Sequence, residues 1–110
     1  MLYSTLKIKS KEYKLRLGMK GMSDLQKDMG KNPLNQEEVG IEDLVKIIKY
    51  SMIKYQHNIT EDKVWSLVED LEEEEGLAKT MEILAKKVTE VFEIAGFSQE
   101  KEPAEIVEEK

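Results

Sequence analysis

The run IEDLVKIIKYSMIKY, residues 41–55, carries the strongest periodicity in the chain. Ile41, Leu44, Val45, Ile48, Met52 and Tyr55 fall at helical spacing and form one continuous apolar stripe. Glu42 and Asp43 stand in the first turn, where the helix dipole favours negative charge. The pattern predicts a helix from Ile41 to near His57-Asn58. The stripe is not the whole apolar content. Ile47, Tyr50 and Ile53 lie off it, at roughly 100°, 160° and 140° from Ile48 at about 100° per residue.

Upstream, Leu6 and Ile8 alternate with Thr5, Lys7 and Lys9, and Tyr13, Leu15 and Leu17 alternate with Glu12, Lys14 and Arg16. This period of two predicts a β-hairpin. A two-residue turn at Ser10-Lys11 would pair Ile8 with Tyr13 and Leu6 with Leu15, placing all four side chains on one face. Gly18 and Gly21 bracket an expected break. A short helix from about Met22 to Met29 follows, with Gly30 as its stop. Lys31 to Gly40 reads as a polar loop around Asn32-Pro33.

Downstream, Thr60 caps a third helix with Glu61 and Asp62 in its first turn. Val64, Leu67, Val68 and Leu71 form its stripe, and Trp65 beside it is expected to help fill the core. The run Glu72 to Glu75 ends at Gly76, read as a break. The last helix covers about Leu77 to Ala95, lined by Leu77, Met81, Leu84, Val88, Phe92 and Ala95. Gly96 takes the left-handed position after it, and Phe97 is expected to fold back on Phe92. Ile83 and Ile94 lie about 100° and 80° from Leu84, away from Phe92. Residues 98–110, rich in Glu and Lys with Pro103, read as a flexible acidic tail.

The fold expected is α+β: an N-terminal two-stranded hairpin packed on a small bundle of about four helices. Residues 1–97 form a single domain, and 98–110 form the tail. A chain of 110 residues can bury a real core without staples. With no cysteine there is no disulfide framework, thiolate metal site or thiol nucleophile. No stretch is apolar enough to span a membrane, and Met1 to Ile8 lacks the form of a signal peptide. The net charge of −6 divides unevenly. Residues 1–31 hold eight Lys/Arg against three Asp/Glu, and the rest hold nine against twenty. The basic N-terminal element either docks on an acidic partner or neighbouring subunit, or is the solvated face of a hairpin, the reading preferred. Most of the chain would repel phosphate, so no nucleic-acid partner is expected.

Reactive constellations are not apparent. His57 is the lone histidine, about 180° from Ile48 on the polar side of its helix. The acids Glu69, Asp70 and Glu72 to Glu75 lack the alternating ligands of a calcium loop. No phosphate-binding glycine loop is present. Neither an enzyme nor a cofactor is expected. What remains is the surplus of apolar residues on two helices. Those helices are central in a small bundle, the account favoured, or part of the surplus faces a partner. On the second account the partner-binding residues are Ile47, Tyr50, Ile53, Ile83 and Ile94.

The order of three pieces carries a resemblance over roughly residues 3–97. They are the strand Lys11-Glu12-Tyr13-Lys14-Leu15, the loop Gly30-Lys31-Asn32-Pro33-Leu34, and the junction Tyr55-Gln56-His57-Asn58-Ile59-Thr60-Glu61-Asp62. In this order the chain resembles the tail assembly chaperones of siphophages and of prophages of Gram-positive bacteria. The resemblance implies a non-catalytic protein of the bacterial host cytoplasm that binds the tape measure protein, helps recruit tail tube subunits, and is missing from the virion. It also implies a longer frameshifted form in many members. Self-association through the oppositely charged ends is a further expectation. The alternative is a small structural tail or head-tail completion protein retained in the particle.

Overall fold

A computed structural model describes residues 3–33 and 39–96. A two-stranded antiparallel hairpin, β1 (Ser4–Ile8) and β2 (Lys11–Leu15), leads into four helices. These are α1 (Met19–Met29), α2 (Ile41–Met52), α3 (Glu61–Glu75) and α4 (Leu77–Ala95). The architecture is α+β, as the residue patterns predict. The contact of Phe97 with Phe92 and the tail from Ser98 lie outside the described residues.

The hairpin turns one residue earlier than its pattern suggests. Lys9 and Ser10 occupy the turn, both with positive φ (48° and 72°), the backbone that tight two-residue hairpins need. Leu6 therefore faces Tyr13 and Ile8 faces Lys11, two positions away from the expected Ile8–Tyr13 pairing. A shift of two leaves every side chain on its original face. Leu6, Ile8, Tyr13 and Leu15 are all buried together, with Leu17 just beyond the strand. The turn gains partners by its position. The Lys9 backbone N–H donates to Glu74 Oε1 (3.1 Å), and its ammonium reaches Glu73 (2.9 Å) and Asp70 (3.8 Å). The basic hairpin thus meets the acidic end of α3 within one chain.

Helix α1 starts three residues before the predicted Met22, at Met19, with Gly18 as its cap. Gly21 lies inside the helix because packing tolerates nothing larger easily. A Cβ there would sit 3.1 Å from Leu17 Cδ1 and 3.5 Å from the Tyr50 carbonyl. Gly30 closes the helix in the left-handed conformation (φ 72°).

Helix α2 stops at Met52, short of the expected His57-Asn58. The Met52 carbonyl accepts from both the Gln56 backbone N–H (2.8 Å) and the Gln56 side-chain amide (2.7 Å). Tyr55, expected on the stripe, turns toward the hairpin, its ring 5.8 Å from that of Tyr3 and its face covered by the Lys14 ammonium. Tertiary contacts end this helix before its own periodicity runs out.

The remaining boundaries follow local chemistry. Thr60 Oγ1 accepts the Lys63 N–H (3.2 Å) at the start of α3. Gly76 (φ 87°) separates α3 from α4, and Gly96 (φ 85°) ends α4. Trp65 is half-buried at the edge of the core. Ile41 and Leu77, placed on buried stripes by spacing, are exposed (37% and 63%). Each sits in a first helical turn that overhangs its neighbours.

α2 is the central element, in contact with α1, α3, α4 and β2. Its Val45, Ile47, Ile48 and Met52 are completely buried. The breadth of its apolar arc is therefore used mainly inside the protomer.

Two substitutions check these assignments by urea denaturation. Thr60→Ala should lower stability by about 1 kcal/mol through loss of the cap. Ser10→Gly should raise it by about 0.5 kcal/mol, because glycine relieves the left-handed strain and repays part of that in chain entropy. A destabilising Ser10→Gly would contradict the turn assignment.

Candidate functional site: two grooves flanking the central helix

The two open edges of α2 border grooves of different character. The first lies where α1 begins and α2 ends. Gly18 and Gly21 line it without side chains, and Met19, Tyr50 and Ile53 supply apolar surface. Arg16, Lys20 and Lys54 line the same groove with Asp24, around a volume of about 320 Å³. Met19 is 80% exposed.

Tyr50 is held in this wall by its polar end. Its hydroxyl donates to Asp28 Oδ2 (2.8 Å), while Asp28 Oδ1 accepts from the Lys46 ammonium (2.9 Å). Lys46 also reaches Glu61 (3.2 Å), so one ammonium links α1, α2 and the start of α3. The hydrogen bond from Lys46, helped by that from Tyr50, holds the Asp28 carboxyl below the usual carboxylate range. Burial and then the Asp28 carboxylate push the Tyr50 phenol up to about 12.

The second groove runs between α2 and α4. Met81, Ala85, Val88 and Phe92 recur along one face of α4, opposite Leu44 and Ile47 of α2. Pro33 and Val39 close one side, Glu82 and Thr89 mark the rim, and the volume is about 440 Å³. Apolar walls with a thin polar rim suit the apolar face of a guest helix.

The residues singled out by spacing are distributed unevenly between these features. Ile47 is fully buried and lies at the base of the α2/α4 cleft, so it is not an outward flank. The reason is that α2 is covered on several sides, which the angle from Ile48 alone does not reveal. Tyr50 and Ile53 share the α1/α2 groove. Ile83 and Ile94 are half-buried on α4. Helical spacing puts both on the face of Glu90, whose carboxylate accepts the Ser4 hydroxyl of β1 (2.6 Å). That face turns toward the hairpin, and neither isoleucine lines the groove of Tyr50 and Ile53.

Met19 was missed by periodicity because it follows Gly18 in a stretch read as a break. Leu44, Val88 and Phe92, read from spacing as core, are buried in it with Met81 packed against them; that they also floor a cleft leaves no mark on either helix. His57 is exposed in the turn between α2 and α3. Among the described residues no cluster of three or more His, Asp or Glu is placed to hold a metal ion. No described helix is long and apolar enough to cross a membrane.

No protein-family model matches the chain, and no curated protein or solved structure matches it either.

The Asp28 network predicts an acid response. A carboxyl whose folded pKa is depressed contributes stability above its unfolded value near 4, and that contribution is lost as pH falls through the folded value. Asp28→Asn should therefore flatten the fall of melting temperature between about pH 5 and pH 2 relative to the parent. Parallel curves would show that Asp28 is not engaged as described. Independently, absorbance titration should contain one phenol ionising near 12, and Tyr50→Phe should remove it.

Proposed function

We propose that the protein is a tail assembly chaperone that holds an amphipathic helix of a tape measure protein in the α2/α4 cleft and helps recruit tail tube subunits, without catalysis. The setting proposed is the cytoplasm of a bacterial host. The observation that supports this reading is the cleft itself. Met81 and Ala85 present surface there, above a floor of the buried Val88, Phe92, Leu44 and Ile47. A guest helix can set side chains at matching three- and four-residue intervals into such a cleft.

The order of the strand, loop and junction sequences supports the choice of client, because it resembles that of tail assembly chaperones. The size of the cleft suits the work. A contact much smaller than a standard interface is weak and reversible. Many copies on one long client can nonetheless cover it, and each can leave when tube subunits arrive. The high charge content, 36% of residues, favours dispersal of the loaded complex in water.

Co-expression with the tape measure protein of the same genome tests the proposal. The parent chain should keep that protein soluble and co-purify with it. Ala85 is an exposed wall residue, so Ala85→Glu should leave the melting temperature nearly unchanged and cut retained client by at least about tenfold, the equivalent of about 1.4 kcal/mol. Equal retention by the variant, or no binding by the parent, would refute the cleft as the client site. Mass spectrometry of purified virions should find the protein missing. Stoichiometric presence would assign it instead to the structural components of the particle.

A further inference from the structure

The hairpin has two outer edges, and only one of them is covered. Its two-residue turn makes Ile8 and Lys11 exchange both of their backbone hydrogen bonds. Alternation along the ladder then turns the N–H and C=O of Thr5 and Lys7 on β1, and of Glu12 and Lys14 on β2, away from the paired strand. On β2 that edge meets α2 and the turn after it. The Arg16 N–H donates to the Ser51 carbonyl (2.8 Å), and the Lys14 carbonyl accepts from the Gln56 side-chain amide (3.4 Å). On β1 the outward backbone groups of Thr5 and Lys7 have no hydrogen-bond partner among the described residues. An unpaired strand edge is a template for another strand.

We propose that a second copy of the chain docks on this edge, with β1 pairing antiparallel to its counterpart about a two-fold axis. A copy fits better than an unlike partner because two adjoining surfaces are self-complementary. The register that sets Thr5 against the partner's Lys7 pairs every outward group of both residues, and no two lysines stand directly opposite. Beside β1, Ile83, Lys87, Glu90 and Ile94 form one half-buried face of α4. An antiparallel copy of that face, centred between Lys87 and Glu90, sets Ile83 against the partner's Ile94 and Lys87 against the partner's Glu90. Lys87 and Glu90 already pair within the chain at 3.3 Å, so the dimer joins two such pairs and strands no charge. A patch that matches itself in this way is what a two-fold interface requires.

One axis serves both surfaces. The turn at Lys9 meets the end of α3 just before α4 begins, and Ser4 donates to Glu90 near the far end of α4, so α4 runs antiparallel to β1. The strand centre, Leu6, lies about 7 Å beyond Ser4, and the centre of the helix face lies about 2 Å before Glu90. The Glu90 side chain spans most of that difference. The α2/α4 cleft stays open in the dimer, because Phe92 lies about 180° around α4 from Ile83, as Ala85 does from Ile94. The dimer is therefore independent of what occupies the cleft.

Sedimentation equilibrium of the full chain tests this. Between about 10 μM and about 1 mM the average mass should rise from one chain toward two and no further, as for a small, weak interface. Lys7→Pro removes an outward N–H and no hydrogen bond of the hairpin, and should weaken dimerisation at least ~tenfold, since the two-fold doubles the loss. Lys7→Ala keeps that N–H and should dimerise like the parent. Lys87→Glu and Glu90→Lys should each stay monomeric alone and dimerise when mixed in equal amounts, because the mixture restores opposite charges at both facing positions. That mixing result stands by itself should Lys7→Pro disturb the hairpin. A parent that remains one chain at about 1 mM, growth beyond two chains, or a mixture that stays monomeric would overturn the proposal. So would equal weakening by Lys7→Pro and Lys7→Ala, which would make the lysine side chain the contact in place of the strand edge.

Discussion

Burial of α2 is the constraint on which the other elements depend. Val45, Ile47, Ile48 and Met52 are removed entirely from water, and a side chain of that size contributes about 1.5–3 kcal/mol on full burial. No single neighbour provides that cover, because α1, α3, α4 and β2 each take part of it. The hairpin is the clearest dependent. Two strands alone are at best marginally stable in water, yet here Leu6, Ile8, Tyr13 and Leu15 are buried against helices. The Arg16 backbone N–H donates to the Ser51 carbonyl (2.8 Å), fastening the end of the hairpin to the last turn of α2. Ser51 itself is buried with its hydroxyl returned to the Ile47 carbonyl (2.7 Å), so no polar group is stranded there.

Charge refines this arrangement without creating it. Lys46 sits between Asp28 and Glu61, and Lys9 sits among Asp70, Glu73 and Glu74. Exposed ion pairs contribute at most about 1 kcal/mol each, well below the apolar contribution. Their effect is on placement: the first fixes α1 against the start of α3, and the second fixes the hairpin turn on the end of α3. The uneven charge of the two parts of the chain is thus partly consumed within the protomer.

Local chemistry was legible where it acts alone. Thr60, Gly30, Gly76 and Gly96 mark helix ends by capping oxygen or left-handed backbone, and neither needs a neighbour to be recognised. The buried face of the hairpin was legible as well, but its register was not. A period of two cannot separate pairings that differ by two residues, and the choice fell to turn geometry and to the acids that meet Lys9. The end of α2 was illegible because Tyr55 is drawn to Tyr3 and Lys14 of the hairpin. Ile47 shows the same limit at the candidate site. Its angle from the main stripe predicts an outward flank, while the number of helices around α2 turns it inward. Grooves belong to pairs of elements, so Tyr50 and Ile53 were found from their own excess, and Met19 was not.

One helix thus serves two edges: Leu44 and Ile47 border the α2/α4 cleft, while Tyr50, with Ile53 just past the helix end, borders the α1/α2 groove. A rigid α2 would hold in place the wall that each groove takes from it. Native-state amide hydrogen exchange tests that claim most directly. The amides of Ile47, Ile48 and Ser51 should exchange only through global unfolding, with the same free energy as denaturation and with none of the other helices more protected. Exchange of those amides through a lower-energy opening, while α3 and α4 stay protected, would contradict α2 as the element that holds the fold together.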